Sequence, residues 1–178
     1  MRLYAGMQAT ICLPDEPGKV VAFAGEELAK YLKKIFGEKV CISGELAQIT
    51  FSVGITDALS GPEGFSYRIQ DNTVSIAGSD GTGALYGVYT FLERELGCCF
   101  GVFPIPEKNV GEVVPVREEI FLEDTYYCKM AADLPYRTSI AQFSEWVGNV
   151  DRGLTVPFID YLAKNRYNRI LTWIGVYL

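Results

Sequence analysis

The chain has no histidine anywhere in its 178 residues. Without imidazole it cannot assemble, from its own side chains, a Ser-His-Asp or Cys-His nucleophile or a zinc site with a nitrogen ligand. It has no basic cluster longer than the Lys33-Lys34 pair, and its formal net charge is −6. Both features oppose a polyanion, so neither nucleic acid nor an anionic membrane surface is expected as a partner. No apolar run is long enough for a signal peptide or a membrane span, and the chain as it stands reads as soluble and cytoplasmic. The five cysteines (Cys12, Cys41, Cys98, Cys99 and Cys128) are odd in number and show no C-x-x-C spacing. A zinc ribbon and a thioredoxin-like motif are thereby excluded, and the thiols read as small buried hydrophobes in a reducing compartment.

What is present suffices for one well-buried domain, or for one domain and a fragment of a second, since 49% of the residues are apolar. Ala9 to Leu13 reads as a strand, and Val20 to Phe36 repeats its apolar residues at helical spacing until Gly37 ends the run. Two β-rich runs follow, Lys39 to Ile42 and Ile49 to Val53. Phe65 to Ile69 and Thr73 to Ala77 flank Asp71-Asn72, a pair suited to a tight turn between antiparallel strands. Leu85, Val88, Leu92 and Leu96 then form one helical stripe that Gly97 closes. Cys98 to Phe103 is expected as a buried strand and Glu118 to Tyr127 as another. Beyond them, Asp133 to Phe143 makes a strand-like start, Thr155 is expected to cap a helix with Pro157 in its first turn, and Asn168 to Trp173 reads as a buried strand. Strand, helix, strand is the order of a βαβ unit.

The segment Gly78-Ser-Asp-Gly-Thr-Gly-Ala-Leu-Tyr-Gly87 follows a strand and opens a helix, as phosphate-binding turns of dinucleotide folds do. Its spacing differs from G-x-G-x-x-G, because Gly87 arrives one position late after Gly81 and Gly83. The next strand offers no acid for a ribose, and the lack of Gly-Lys-Ser/Thr excludes a P-loop. The preceding strand also pairs in a hairpin. These residues favour a structural reading, in which Asp80 caps the helix, Gly81 and Gly83 permit the turn, and Gly87 lets the helix approach the sheet. A nucleotide-dependent enzyme using Gly78 to Gly87 is the alternative.

The run SYRIQDNTVSIAGSDGTGALYGVYTFLERELG resembles the N-terminal α/β domain that precedes the catalytic barrel in several glycoside hydrolase families. Among these are the bacterial β-N-acetylhexosaminidases and the α-glucuronidases of family 67. Gly64, Phe65, Ile69, Ile76, Gly78, Gly83, Leu85, Tyr86, Gly87, Phe91, Leu92, Glu93, Leu96 and Gly97 carry the likeness, which covers residues 8–103. Further on, Leu134-Pro-Tyr-Arg137 is similar to the first barrel strand, where the hexosaminidases carry Tyr-Arg-Gly with the arginine on sugar hydroxyls. Ile159 to Asn168 is similar to the first barrel helix and the turn into strand two. Thr138 stands where the glycine would be, and Gln142 and Glu145 stand where an aspartate and a second arginine would be. Those departures favour the family 67 or an uncharacterised branch.

The fold class expected is α+β. Residues 1–127 would form a non-catalytic domain, a two-layer mixed sheet with two helices on one face. Residues 128–178 would form a βαβ fragment, the truncated beginning of a (β/α)8 barrel. The resemblance implies an accessory role, with catalytic carboxylates on later barrel strands that this chain does not contain. The acidic pairs Asp15-Glu16 and Glu118-Glu119 read as solvated surface. Glu123-Asp124 ends an apolar run and resembles the hexosaminidase Asp-Glu pair in reversed order and ahead of the barrel, so it reads as catalytically silent, and no residue is assigned to catalysis. Arg137 alone is carried over as a sugar contact, with an interface ion pair as its bland alternative. Trp146 and Trp173 could offer a sugar-stacking face, with core packing the favoured reading. No cofactor and no metal is expected. Carbohydrate is the expected partner, through the missing barrel, and a homo-oligomer could form through the uncovered C-terminal segment. A free-standing module that binds glycans or protein through its sheet face is a third possibility.

Overall fold

Ile49, Phe51 and Val53 alternate with Thr50, Ser52 and Gly54, so an extended strand here turns three apolar side chains to one face. In the computed structural model, which describes residues 1–43, 45, 47–102, 111–141 and 152–172, this run is a strand inside a six-stranded sheet. The elements in chain order are β1 (Arg2–Tyr4), β2 (Ala9–Cys12), α1 (Lys19–Phe36), β3 (Val40–Ile42), β4 (Ile49–Ile55), β5 (Phe65–Gln70) and β6 (Thr73–Gly78). They continue with α2 (Gly81–Arg94), β7 (Glu119–Phe121), β8 (Thr125–Lys129), β9 (Thr138–Ala141), α3 (Arg152–Lys164) and β10 (Arg169–Thr172). The chain divides into two compact units: Met1–Cys98 with Val114–Ala132, and Cys99–Val113 with Asp133–Leu178.

In the first unit the sheet runs β3-β2-β4-β6-β5-β8. The first four of these strands are mutually parallel, and β5 is antiparallel to both of its neighbours. The expected hairpin is present, with Gln70 opposite Thr73 and Asp71 in the left-handed region at φ 53°. Helices α1 and α2 pack against each other and on one face of the sheet. That face carries Phe51, Tyr67 and Ile76, all buried, while Arg68, Gln70, Thr73 and Ser75 line the opposite, exposed face. This is the two-layer mixed α+β architecture expected, with one sheet face packed and the other wet.

Among the described residues, polar links cross the packed layer at Tyr67 and at Glu27. The Tyr67 hydroxyl donates to Glu95 Oε1 at 2.5 Å, and its ring stacks on Tyr127 at 5.4 Å and meets Phe91 edge-on at 5.7 Å. Burial, with the Glu95 hydrogen bond second, holds the Tyr67 pKa well above the ordinary tyrosine value. Glu27 of α1 is buried and accepts from Tyr89 of α2 at 3.0 Å and from Lys30 at 2.7 Å. Such aromatic contacts add roughly 0.5–1.5 kcal/mol each beyond area burial.

Several expectations differ from what forms. Cys98 to Val102 is not a strand; Cys99 makes only an isolated bridge to Val113, and the alternation of buried Cys98 and Phe100 imitated a strand's period. Glu118 to Tyr127 is two strands, because the chain leaves the β1–β7 ribbon at Phe121 and joins the main sheet at Thr125. Of the five thiols, only Cys98 is fully buried. Tyr127, the last residue of the expected first domain, lies within β8, and the first compact unit runs on to Ala132 while Cys99–Val113 belongs to the second.

The second unit contains the strand-helix-strand order expected: β9 and β10 pair in parallel, Arg169 opposite Thr138 and Thr172 opposite Ala141, with α3 as the crossover. Helix α3 begins at Arg152, before the expected cap at Thr155, so Pro157 lies inside it. Ile170 and Leu171 are 40% and 50% exposed, so β10 is not the buried strand its composition suggested. Phe103, Gln142, Glu145, Trp146 and Trp173 lie outside the described residues.

Truncation tests the division into units. A chain ending at Ala132 should unfold cooperatively in urea, while one ending at Tyr127, which loses the pairing of Cys128 and Lys129 with β5, should have a lower midpoint. Failure of the longer version to fold would show that the first unit depends on the second.

Candidate functional site

The glycine turn before α2 has the first claim to a site, and the chain's own groups already take up the Ser79 and Gly83 N–H donors. Asp80 is the N-cap: Oδ1 accepts from Gly83 N–H at 2.7 Å and Oδ2 from Glu63 N–H at 3.0 Å. Ser79 N–H donates to Gly64 O at 2.8 Å, and Ser79 Oγ accepts from Gly64 N–H at 3.0 Å. A side chain on Gly83 would run into the Gly64 carbonyl, and one on Gly78 into the backbone of Ala84. A phosphate needs open N–H groups at a helix start. Here a carboxylate and a carbonyl occupy that position, and both repel an anion. Both helices also lie on one sheet face, so no crevice opens between oppositely directed crossovers. The turn is a structural junction, as the cap and glycine spacing implied.

Arg137, the residue carried over as a sugar contact, is half-buried just before β9. Its Nη1 donates to Leu134 O at 2.6 Å, and its Nε donates to Arg166 O. Arg166 sits in the left-handed region at φ 61°, in the turn between α3 and β10. Asn168 completes the arrangement. Its Oδ1 accepts from Arg137 N–H at 2.9 Å, its Nδ2 donates to Pro135 O at 2.9 Å, and its own N–H donates to Arg137 O at 3.1 Å. The guanidinium thus ties the approach to β9 to the approach to β10. Sequence reasoning missed Asn168; a side-chain amide just before a strand was the available signal.

The acidic pairs do not converge. Asp15, Glu16, Glu118, Glu119, Glu123 and Asp124 are all exposed, and Glu119 is bound to Arg2 at 2.6 Å. Among the described residues no three carboxylates or thiols gather where they could hold a metal ion. Among the described residues of the second unit, one charge cluster is buried. Lys164 is 4% exposed, donates to Glu112 at 2.8 Å and to Asp160, and lies over the Phe100 ring at 5.6 Å. Burial alone would lower its pKa, but the hydrogen bonds to Asp160 and Glu112 outweigh burial and hold the ammonium above lysine's ordinary value. A groove of about 360 Å³, lined by Ile159, Leu162, Tyr167 and Ile170 among others, opens between α3 and β10.

No family model and no curated protein matches the sequence. Solved structures do match in fold. A glycoside hydrolase family 115 4-O-methyl-α-glucuronidase with specificity for decorated arabinogalactans overlays with a TM-score of 0.71 at 13% identity, across 96% of this chain and 25% of its own. A family 138 enzyme targeting pectin rhamnogalacturonan II gives 0.62 at 15%, across 94% and 18%. The family 20 β-N-acetylhexosaminidase of Streptomyces coelicolor A3(2) gives 0.60 at 16%, across 96% and 31%. The chain therefore spans a third or less of the length of these enzymes, and what it shares with them at such identities is a fold.

Two measurements check this account. NAD and NADP should give no heat of binding by calorimetry, and Asp80→Ala should cost about 1 kcal/mol of stability through the lost cap. Micromolar binding abolished by Gly83→Val at intact fold would restore the nucleotide reading. At alkaline pH, Lys164 sets a second expectation. The folded state binds its proton more tightly than the unfolded state, so its stabilisation is complete below lysine's ordinary value of 10.5 and is lost as pH rises through the raised folded value. The urea midpoint should fall above pH 10.5, and Lys164→Met should lower the midpoint at neutral pH while making that alkaline fall shallower. An unchanged slope would remove Lys164 from the cause and leave Tyr67, which titrates in the same direction.

Proposed function

We propose that the chain is the accessory α+β unit of a carbohydrate-active glycoside hydrolase, followed by the first strand-helix-strand of its catalytic barrel. The observation that carries this reading is the parallel β9–α3–β10 unit standing directly after a mixed-sheet unit. Solved glycoside hydrolases support it in fold, since 94% of the chain overlays on the family 138 enzyme and 96% on the family 115 and family 20 enzymes. Parallel strands are normally covered on both faces, and the groove beside Ile159, Leu162 and Ile170 is the surface a following strand-helix unit of the barrel would cover. A second copy of the chain is the other cover for that face. Carbohydrate would be met through the barrel, with the acid and the base or nucleophile supplied from its later strands.

Arg137 enters this reading as a positioning residue. Barrels gather substrate groups at the C-terminal ends of their strands, whereas Arg137 precedes the N-terminal end of β9 and donates to two backbone carbonyls there. The sugar, the linkage and the branch within the hydrolases follow from residues of that barrel.

The purified chain should release no aryl group from N-acetylglucosaminides or glucuronides. Turnover that survives purification and is lost in Glu123→Gln or Asp124→Asn would make this unit catalytic and overturn the accessory reading.

A further inference from the structure

The pairing of β9 with β10 poses a problem that neither strand solves by its own sequence. Register is ordinarily fixed by alternation of buried and exposed residues or by a short turn. Thr138-Ser-Ile-Ala141 offers a single large apolar residue, Ile170 and Leu171 are adjacent and both partly exposed, and the connection is a long crossover through α3. Something outside the ladder has to choose among registers.

We propose that Asn168, supported by Arg137, is the positioning residue that sets this register. Its amide accepts from Arg137 N–H and donates to Pro135 O, two backbone groups separated by two residues on the same edge. A slip of one residue would turn those backbone groups to the opposite edge of the strand, away from Asn168. A slip of two toward the N-terminus would put Asn168 Oδ1 opposite Pro135, which has no N–H to give. Arg137 closes the clasp through Leu134 O and Arg166 O, and a lysine, with one compact ammonium, could not reproduce its fork. In the observed register Ala141 lies opposite Thr172. On the barrel reading, and only in this last step, the clasp therefore sets how the two strands align toward the side at which barrels gather substrate groups.

Cross-linking tests the clasp without reference to any sugar. Ser139→Cys is combined with Ile170→Cys, the partner in the observed register, or with Leu171→Cys, the partner after a slip of one, and the oxidised full-length chains are mapped by mass spectrometry. With Asn168 present, only the first pair should link. In Asn168→Leu and Asn168→Asp backgrounds the slipped pair should rise about tenfold relative to the native one, as the loss of one or two hydrogen bonds allows. Amide exchange in β4 serves as the control for an intact first unit. Exclusive native linkage in both backgrounds overturns the proposal. Loss of both linkages in both backgrounds with β4 still protected overturns it too, since Asn168 would then stabilise the pair without choosing its register. If Asn168→Leu alone prevents linkage, the isosteric Asn168→Asp decides.

Discussion

A methyl group added to Gly87 would lie 2.8 Å from Ile76 Cγ2, and the first unit is built around that close approach of α2 to its sheet. Because the helix backbone sits so low, side chains on its flanks as well as on its inner face are removed from water. Every residue from Gly83 to Leu92 is buried. Such a helix cannot be held by one apolar stripe, and its end must enter at a fixed height above the strands. Asp80 fixes that height by binding two N–H groups at once, one in the helix and one in the 61–64 loop. The same constraint explains why the glycine turn imitates a phosphate loop. Both need a strand, a tight turn and a helix start with close backbone contacts, and only the occupant of the N–H groups differs.

Much of this was legible in the sequence because it is local. The spacing of Val21, Leu28, Leu32 and Ile35 on α1, the alternation along β4 to β6, the Asp71-Asn72 turn and the Asp80 cap each depend on neighbours a few residues away. What was not legible depends on distant partners. The break between β7 and β8 arises because Phe121 pairs with Arg2 while Thr125 pairs with Ile69, in different sheets. The Cys98 to Val102 segment alternates like a strand but finds a single bridge partner, Val113. Arg137 gave a chemical type and a resemblance; its commitment to Arg166 O, 29 residues onward, was not readable from either.

The buried polar links share a pattern with a physical cause. Glu27 with Tyr89 joins α1 to α2, Tyr67 with Glu95 joins β5 to the residue that caps the C-terminus of α2, and Lys164 with Glu112 joins α3 to the 99–113 segment. Each spans two elements that apolar packing alone would allow to slide, because area burial is non-directional and a hydrogen bond is not. A buried pair returns little net stability against a hydrophobic equivalent, yet a wrong alignment leaves a charge or hydroxyl without a partner. These contacts thus select one packing among several of similar burial.

That division of labour bears on where chemistry could reside. Catalytic groups need unsatisfied capacity pointed at a cleft, and the carboxylates, guanidinium and ammonium described here are committed to caps, carbonyls or one another, or stand singly in solvent. Asp80 holds a helix, Arg137 two carbonyls and Lys164 two carboxylates, while Glu123 and Asp124 face water between two strands. Among the described residues, these side chains are thus spent on aligning a helix, two strand approaches and a helix-segment contact.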